Sequence, residues 1–223
     1  GASAFDDFVL TVANVNDAPV LLSPVAGQTA TQDAAFSFTL PPATFADVDA
    51  GDVLSYSATL SSGAALPSWL RFDAATRTFS GTAANADVGV LSLRVIATDL
   101  AGASASADFG LAVIDVNDPP MLAQPLADQQ AHQDAAFAYG VPASSFVDVD
   151  AGDVLSYSAT LGTGAALPSW LRFDAATQTF RGTPTAADVG RIDVRVTATD
   201  PRGASASATF VLDVSPPPSE PVF

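Results

Sequence analysis

Shifted by 101 positions, the sequence lies on itself without a gap: residues 14–114 match 115–215 at 66 of 101 positions. Asp47–Leu60 (DVDAGDVLSYSATL) recurs unchanged at Asp148–Leu161, and Gly63–Thr76 (GAALPSWLRFDAAT) at Gly164–Thr177. Solenoid repeats run to roughly 20–45 residues, and a period of about 100 is that of a small domain. The chain therefore reads as a tandem array of near-copies. Residues 1–13 (GASAFDDFVLTVA) align with Gly102–Ile114 and Gly203–Ser215 and are expected to be a last strand. The organisation that follows is 1–16, last strand and linker of a truncated preceding repeat; 17–117, repeat 1; 118–215, repeat 2; and 216–223, a Pro-rich tail.

Composition narrows what each repeat can be. Of 24 acidic residues, Glu220 is the single Glu, and all eight basic residues are Arg. Glu favours helices, whereas Asp favours caps, turns and loops, so the carboxylates are expected on loops. With 48% apolar residues a core can form despite the charge. The absence of Cys excludes disulfides, Cys-based zinc sites and a Cys nucleophile. A net charge of −16 excludes a basic nucleic-acid surface, and no run of about 18 apolar residues spans a membrane. Strand alternation is clear at Phe36–Leu40, Leu54–Leu60, Leu91–Ala97 and Ala105–Val113, with Trp69–Phe72 and Thr78-Phe79 between. About seven short strands with one polar face each predict an all-β chain of two seven-stranded β-sandwiches. Trp69 and Trp170 are the expected centres of the cores.

The acids then fall at strand ends. In repeat 2 the linker supplies Asp115, Asn117 and Asp118, the loop after the second strand Asp148 and Asp150, and the end of the sixth strand Asp200. Strand directions alternate, so these belong to one pole. The opposite pole of repeat 1 carries Asp33 and Asp87, which face the same linker, and one junction is expected to collect all eight residues. So many carboxylates repel unless a cation cancels them. Oxygen donors without N or S favour calcium over zinc, and magnesium prefers fewer carboxylates and more water. Asn14, Asn16, Asp17, Asp47, Asp49 and Asp99 repeat the upper half of this set one period earlier and are the second group of expected ligands.

The DxND-P linker, the DxD loop and the late Ala-Thr-Asp resemble cadherin repeats. More closely, Phe146-Val-Asp148-Val-Asp150-Ala-Gly152-Asp153-Val-Leu155-Ser-Tyr157, Leu167-Pro-Ser-Trp170-Leu-Arg-Phe173-Asp174, Phe180-Arg-Gly182-Thr-Pro184, Asp188-Val-Gly190 and Ala198-Thr-Asp200 are similar to the dystroglycan-type cadherin-like domain, an immunoglobulin-like repeat of bacterial surface and secreted adhesins. The resemblance covers both repeats. It implies cadherin/immunoglobulin-like sandwiches joined in a rod, with Ca2+ at the junctions, outside the bacterial cell. The cadherin acidic segment in the first-strand region is reduced here to Gln32-Asp33.

Other residues carry plainer expectations. Asp52 and Asp153 read as turn residues, as do Asp73 and Asp174 before Ala-Ala-Thr. Asp134 and Asp188 face no acidic linker, so no tight site is expected there. His132, which stands where repeat 1 has Thr31, is expected on the surface, and Arg94 and Arg195 beside acidic neighbours in solvent. No nucleophile–base set recurs, and paired carboxylates duplicated whole in both copies argue against catalysis. The function expected is a calcium-rigidified extender or adhesion module. A module binding a polysaccharide or a second copy of itself is the alternative, and residues 5–13 are a candidate for pairing with an exposed sheet edge.

Overall fold

The computed structural model describes residues 3–49 and 51–217, so most of the expected Pro-rich tail (218–223) lies outside the described residues. The chain divides into two compact units, Gly1–Val116 and Asn117–Phe223. The first holds β1 (Val20–Leu21), β2 (Gln28–Thr31), β3 (Ala35–Thr39), β4 (Phe45–Ala46), β5 (Ser55–Leu60), β6 (Leu70–Asp73), β7 (Thr78–Thr82), β8 (Gly89–Thr98) and β9 (Ser104–Ile114). A four-stranded sheet ordered β2-β9-β8-β5 faces a three-stranded sheet β3-β7-β6, and β1 pairs with β4. All pairings are antiparallel except β2 with β9, where Gln28 lies opposite Leu111 and Ala30 opposite Val113.

The second unit repeats this plan. Its strands are β10 (Met121–Leu122), β11 (Gln129–His132), β12 (Phe137–Gly140), β13 (Phe146–Val147), β14 (Ser156–Leu161), β15 (Leu171–Asp174), β16 (Thr179–Gly182), β17 (Gly190–Thr199) and β18 (Ser205–Ser215). The sheets are β11-β18-β17-β14, β12-β16-β15 and β10-β13. The β-sandwich architecture expected from alternation is the one observed. Each unit shows nine strands among the described residues rather than seven, because the short β4 or β13 is added and the first strand is split. Its opening residues pair with the short β4 or β13, and its continuation pairs in parallel with the last strand. Pro24 and Pro125 stand in the break, where a residue without N–H cannot extend a ladder.

Alternation in β8 and β9 sends Leu93, Val95 and Ala97, and Ala107, Phe109, Leu111 and Val113, into one core with Leu40, Leu70 and Phe79. Burying each large side chain there stabilises by roughly 1.5–3 kcal/mol. The rings of Phe79 and Phe109 meet edge to face at 5.6 Å, and those of Phe180 and Phe210 at 5.5 Å. The expectation that the tryptophans centre the cores is corrected: Trp69 and Trp170 are only half-buried and pack against the rim. Each precedes an edge strand and lies across a glycine. A Cβ on Gly81 would stand 1.9 Å from the Trp69 carbonyl oxygen, and one on Gly182 2.0 Å from that of Trp170. The indole packs over that glycine at the margin of the core, and Phe79 and Phe180 fill the centre. Residues 5–13 form no strand, and their apolar side chains are exposed.

Candidate metal centre

Each unit gathers one group of acids at the pole where β8 or β17 ends. In the first, the loop after β4 brings one carboxylate oxygen each from Asp47, Asp49 and Asp52 within 4.8 Å of one another. In the second, Asp148, Asp150 and Asp153 do the same. The local cause is a backbone turn that folds the loop onto itself. The Asp49 amide donates to Asp47 Oδ1 at 3.0 Å, and the Asp52 amide to the Asp49 carbonyl at 3.3 Å. Gly51 and Gly152 hold φ near 96° in these turns, a left-handed conformation open to glycine at little cost. Asp52 and Asp153 are therefore turn residues, as expected, but their carboxylates also point into the cluster. The signal that could have found them is the unchanged Gly-Asp three positions after DxD in both copies.

The linker closes over this loop in each unit. Asp17 donates its amide to Asp49 Oδ2 at 2.7 Å, and Asp118 donates its amide to Asp150 Oδ2 at 2.9 Å. Asn16 Nδ2 donates to Asp99 Oδ2 at 3.0 Å, and Asn117 Nδ2 to Asp200 Oδ2 at 2.9 Å. Asn14 Nδ2 donates to Asp49 Oδ1 at 2.8 Å. The other oxygen of Asp99 accepts from the Ala103 amide, and that of Asp200 from the Arg202 and Ala204 amides. The Asn donors hold the Asp99 and Asp200 carboxyls below the usual range, against the opposing effect of burial. Burial first, and then the neighbouring acids, push Asp52 and Asp153 above it, and Arg202 partly offsets this at Asp153.

Among the described residues, five buried oxygens in and beside these clusters have no hydrogen-bond partner: Asp47 Oδ2, Asp52 Oδ2, Asp148 Oδ2, Asp153 Oδ2 and Asn117 Oδ1. Buried polar atoms are normally satisfied, and unpaired carboxylate oxygens beside other carboxylates are costly. The donor set is all oxygen, which fits a hard divalent cation.

The remaining expected ligands sit elsewhere. Asp33 and Asp87 stand at the end of the first unit where β9 finishes, away from Asp99 where β8 ends. Asp33 Oδ2 accepts from Gln32 Nε2 at 3.2 Å, and Gln32, itself buried, accepts the Val116 amide. Asp87 Oδ2 accepts the Ala84 amide at 3.0 Å and so closes a short 3-10 turn. Asp188 does the same for Thr185. Asp115 directly follows β9. Neither of the three-acid groups includes these residues. Asp73 and Asp174 accept backbone amides of their own turns, as expected. His132 is exposed, with Nδ1 2.7 Å from Ser215 Oγ. Arg94 forms two bonds to Asp108, at 2.7 and 2.8 Å, whereas Arg195 donates to the Gly162 carbonyl.

A family model described as Putative Ig domain (He_PIG) matches residues 18–114 and again 119–215. The serine-rich adhesin for platelets of Staphylococcus aureus strain MRSA252 is 28% identical over 150 residues, 67% of this chain and 10% of the adhesin. The same adhesin in strain USA300 is matched over 6% of its length, so the chain spans a tenth or less of these relatives. Among solved structures, mouse cadherin-23 EC22-24 aligns with a TM-score of 0.61 at 18% identity, covering 90% of this chain and 65% of that one. Drosophila N-cadherin EC1-4 gives 0.60 at 19% identity, covering 90% and 50%. At these identities the likeness is one of fold.

Proposed function

The chain belongs to the He_PIG family of immunoglobulin-like domains, one copy in each half, and from that premise we propose that it is a calcium-dependent extracellular module that extends or presents a large bacterial surface or secreted adhesin. The observation that carries this reading is the set of unpartnered buried oxygens in the two acidic clusters. Asp47, Asp49 and Asp52 would hold one ion with Asn16, Asp17 and Asp99 around it. Asp148, Asp150 and Asp153 would hold the equivalent ion with Asn117, Asp118 and Asp200. Asn14, bonded to Asp49, is proposed as a further ligand of the first ion, and Asp33, Asp87 and Asp115, at the other end of the first unit, as a separate group of further ligands. Bound calcium would cancel the charge that opposes closure of the loop and would tie the linker to it. The linker would then become a fixed part of its repeat, which is what an extender needs. The FxDxDxGD loop and DxND linker keep the dystroglycan-type resemblance as the finer family reading. The similarity to an adhesin supports the adhesion role and the extracellular location.

The test is a calorimetric titration of the chain with calcium and, as a control, magnesium, paired with scattering profiles in calcium and in chelator. The expected Kd is roughly 10⁻⁴–10⁻³ M, the range of extracellular calcium modules, with weaker magnesium binding. Profiles and melts that ignore calcium would remove the reading.

A further inference from the structure

Each unit carries the same groove beside its acidic loop, and the two fill it differently. In the first, Leu54, Tyr56 and Arg77 line a groove of about 500 Å³; in the second, Leu155, Tyr157 and Gln178 line one of about 420 Å³. The tyrosine ring is set alike in both, with its centroid 6.2 Å from that of Phe45 or 6.1 Å from that of Phe146. The residue across from it is launched alike too. Arg77 and Gln178 hold φ of 54° and 53°, and their carbonyls accept the Leu40 and Val141 amides, both at 2.9 Å. In the first unit the Arg77 guanidinium lies over the Tyr56 ring, with Cζ 5.5 Å from its centroid, where the negative face of the ring attracts a cation. In the second, Gln178 is shorter and neutral, and among the described residues no cation stands over Tyr157.

We infer that the groove of the second unit takes an arginine side chain from a basic segment of a partner protein, in the place that Arg77 takes within the first unit. The Tyr157 ring offers the face on which a guanidinium stacks. Val154, 79% exposed, walls the groove and gives the methylene stem an apolar surface. Asp148 and Asp153 also line it, so the field there is negative and draws a cation in. A second copy is not the occupant, because a net charge of −16 makes two copies repel. The seat is the face of the ring, so it does not depend on the oxygens that would hold calcium.

The chain has three tyrosines, so ring-labelled tyrosine gives the full chain three sets of NMR signals to follow. The probe is the peptide acetyl-Gly-Arg-Gly-amide, titrated in excess calcium and in chelator. The citrulline peptide, of the same shape but uncharged, is the control. The Tyr157 signals are expected to shift and saturate in both media, with Tyr56 and Tyr139 unmoved. Gln178→Arg, which copies the first unit, should weaken the response about tenfold, the weight of one cation–π contact. Arg77→Gln, which copies the second, should give Tyr56 a response that it otherwise lacks. Unmoved Tyr157 signals, or an equal shift with the citrulline peptide, would overturn the inference. So would a Tyr56 that stays silent in Arg77→Gln. A Tyr157 response abolished by calcium would overturn it as well, since the peptide would then be held by the acidic loop. A response in both media stands whether or not calcium binds, which the calorimetric titration decides separately.

Discussion

The two repeats hold almost the same fold with different charge and polar satisfaction. Their acidic loops are identical from Asp47 to Leu60 and from Asp148 to Leu161, and each brings three carboxylates together. Around that constant loop the neighbours change. Repeat 1 has Asn14, which donates to Asp49, and Ala101. Repeat 2 has Arg202 in place of Ala101, and its charge offsets part of the repulsion on Asp153. The cores differ too. Phe38 of repeat 1 becomes Tyr139, whose hydroxyl is buried without a partner. Thr44, bonded to the Pro41 carbonyl at 2.8 Å, becomes Ser145, whose hydroxyl has none. The backbone geometry is therefore the repeated unit, and the charge balance and hydroxyl accounting are individual to each copy.

The largest effect should come where the repeats are most alike. Gly81→Ala and Gly182→Ala both drive a Cβ into a tryptophan carbonyl. Backbone cannot rotate away, so each should destabilise its own repeat by about 3 kcal/mol. Single-tryptophan variants, Trp69→Phe or Trp170→Phe, allow each repeat to be followed by fluorescence in urea. Unequal losses would break the equivalence of the two packings.

Calcium comes next. At calcium one hundred times Kd, each repeat should gain about 2.7 kcal/mol. Asp47→Ala should abolish the gain in repeat 1 only, and Asp148→Ala in repeat 2 only, as read by the same two reporters. A variant that lost the gain in both repeats would show that the sites are not independent.

The core difference predicts a smaller, opposite pair. Tyr139→Phe removes a buried hydroxyl without a partner and should stabilise repeat 2 by about 1 kcal/mol, whereas Phe38→Tyr should destabilise repeat 1 by about 1–3 kcal/mol. Thermal melts decide it; a loss on Tyr139→Phe would mean that the hydroxyl is satisfied in solution.

The charge difference is smaller again. Arg202→Ala should tighten calcium at repeat 2 by about 2–5-fold, and Ala101→Arg should weaken it at repeat 1 by a similar factor, both fading at high salt. Equal affinities in all four combinations would remove Arg202 from the site.

Acid titration should show the smallest effect and two signs. Asp52 and Asp153 have folded pKa values above the unfolded one, about 3.9 for Asp. The calcium-free fold therefore binds their protons first, and their contribution to stability rises as pH falls toward that value. Asp99 and Asp200 are depressed, so their contribution is complete above it and is lost as pH falls through their folded values. Calcium-free melts should thus rise slightly and then fall on acidification. With calcium the early rise should vanish, because protons compete for the ligand oxygens. Asp52→Asn and Asp153→Asn together should abolish the rise.

Much of this was legible in the chain itself. The 101-residue period set the number of repeats, and strict alternation in Leu91–Ala97 and Ala105–Val113 named the buried faces, because a strand's side-chain period is two. The preference of Asp for turns placed the acids on loops. That the linker and loop acids lie near one another in each unit was legible from strand direction, since their strand ends share a pole. Three things were not legible. Trp69 and Trp170 looked like core because indole is large and apolar, yet the close approach of their backbone to Gly81 and Gly182 fixes them at the rim. Asp52 and Asp153 looked like turn residues, and only the turn at Gly51 and Gly152 swings their carboxylates inward. The parallel pairing of β2 with β9 also escaped, because hydrophobic period does not encode which neighbour a strand selects.

The sequence by itself determined repetition, sandwich class and which acids exist to converge, because these follow from local periodicity and residue chemistry. The tertiary structure alone decided which oxygens end buried and unpartnered and which aromatic ring fills the centre. Both depend on where strands far apart in sequence come to rest against each other.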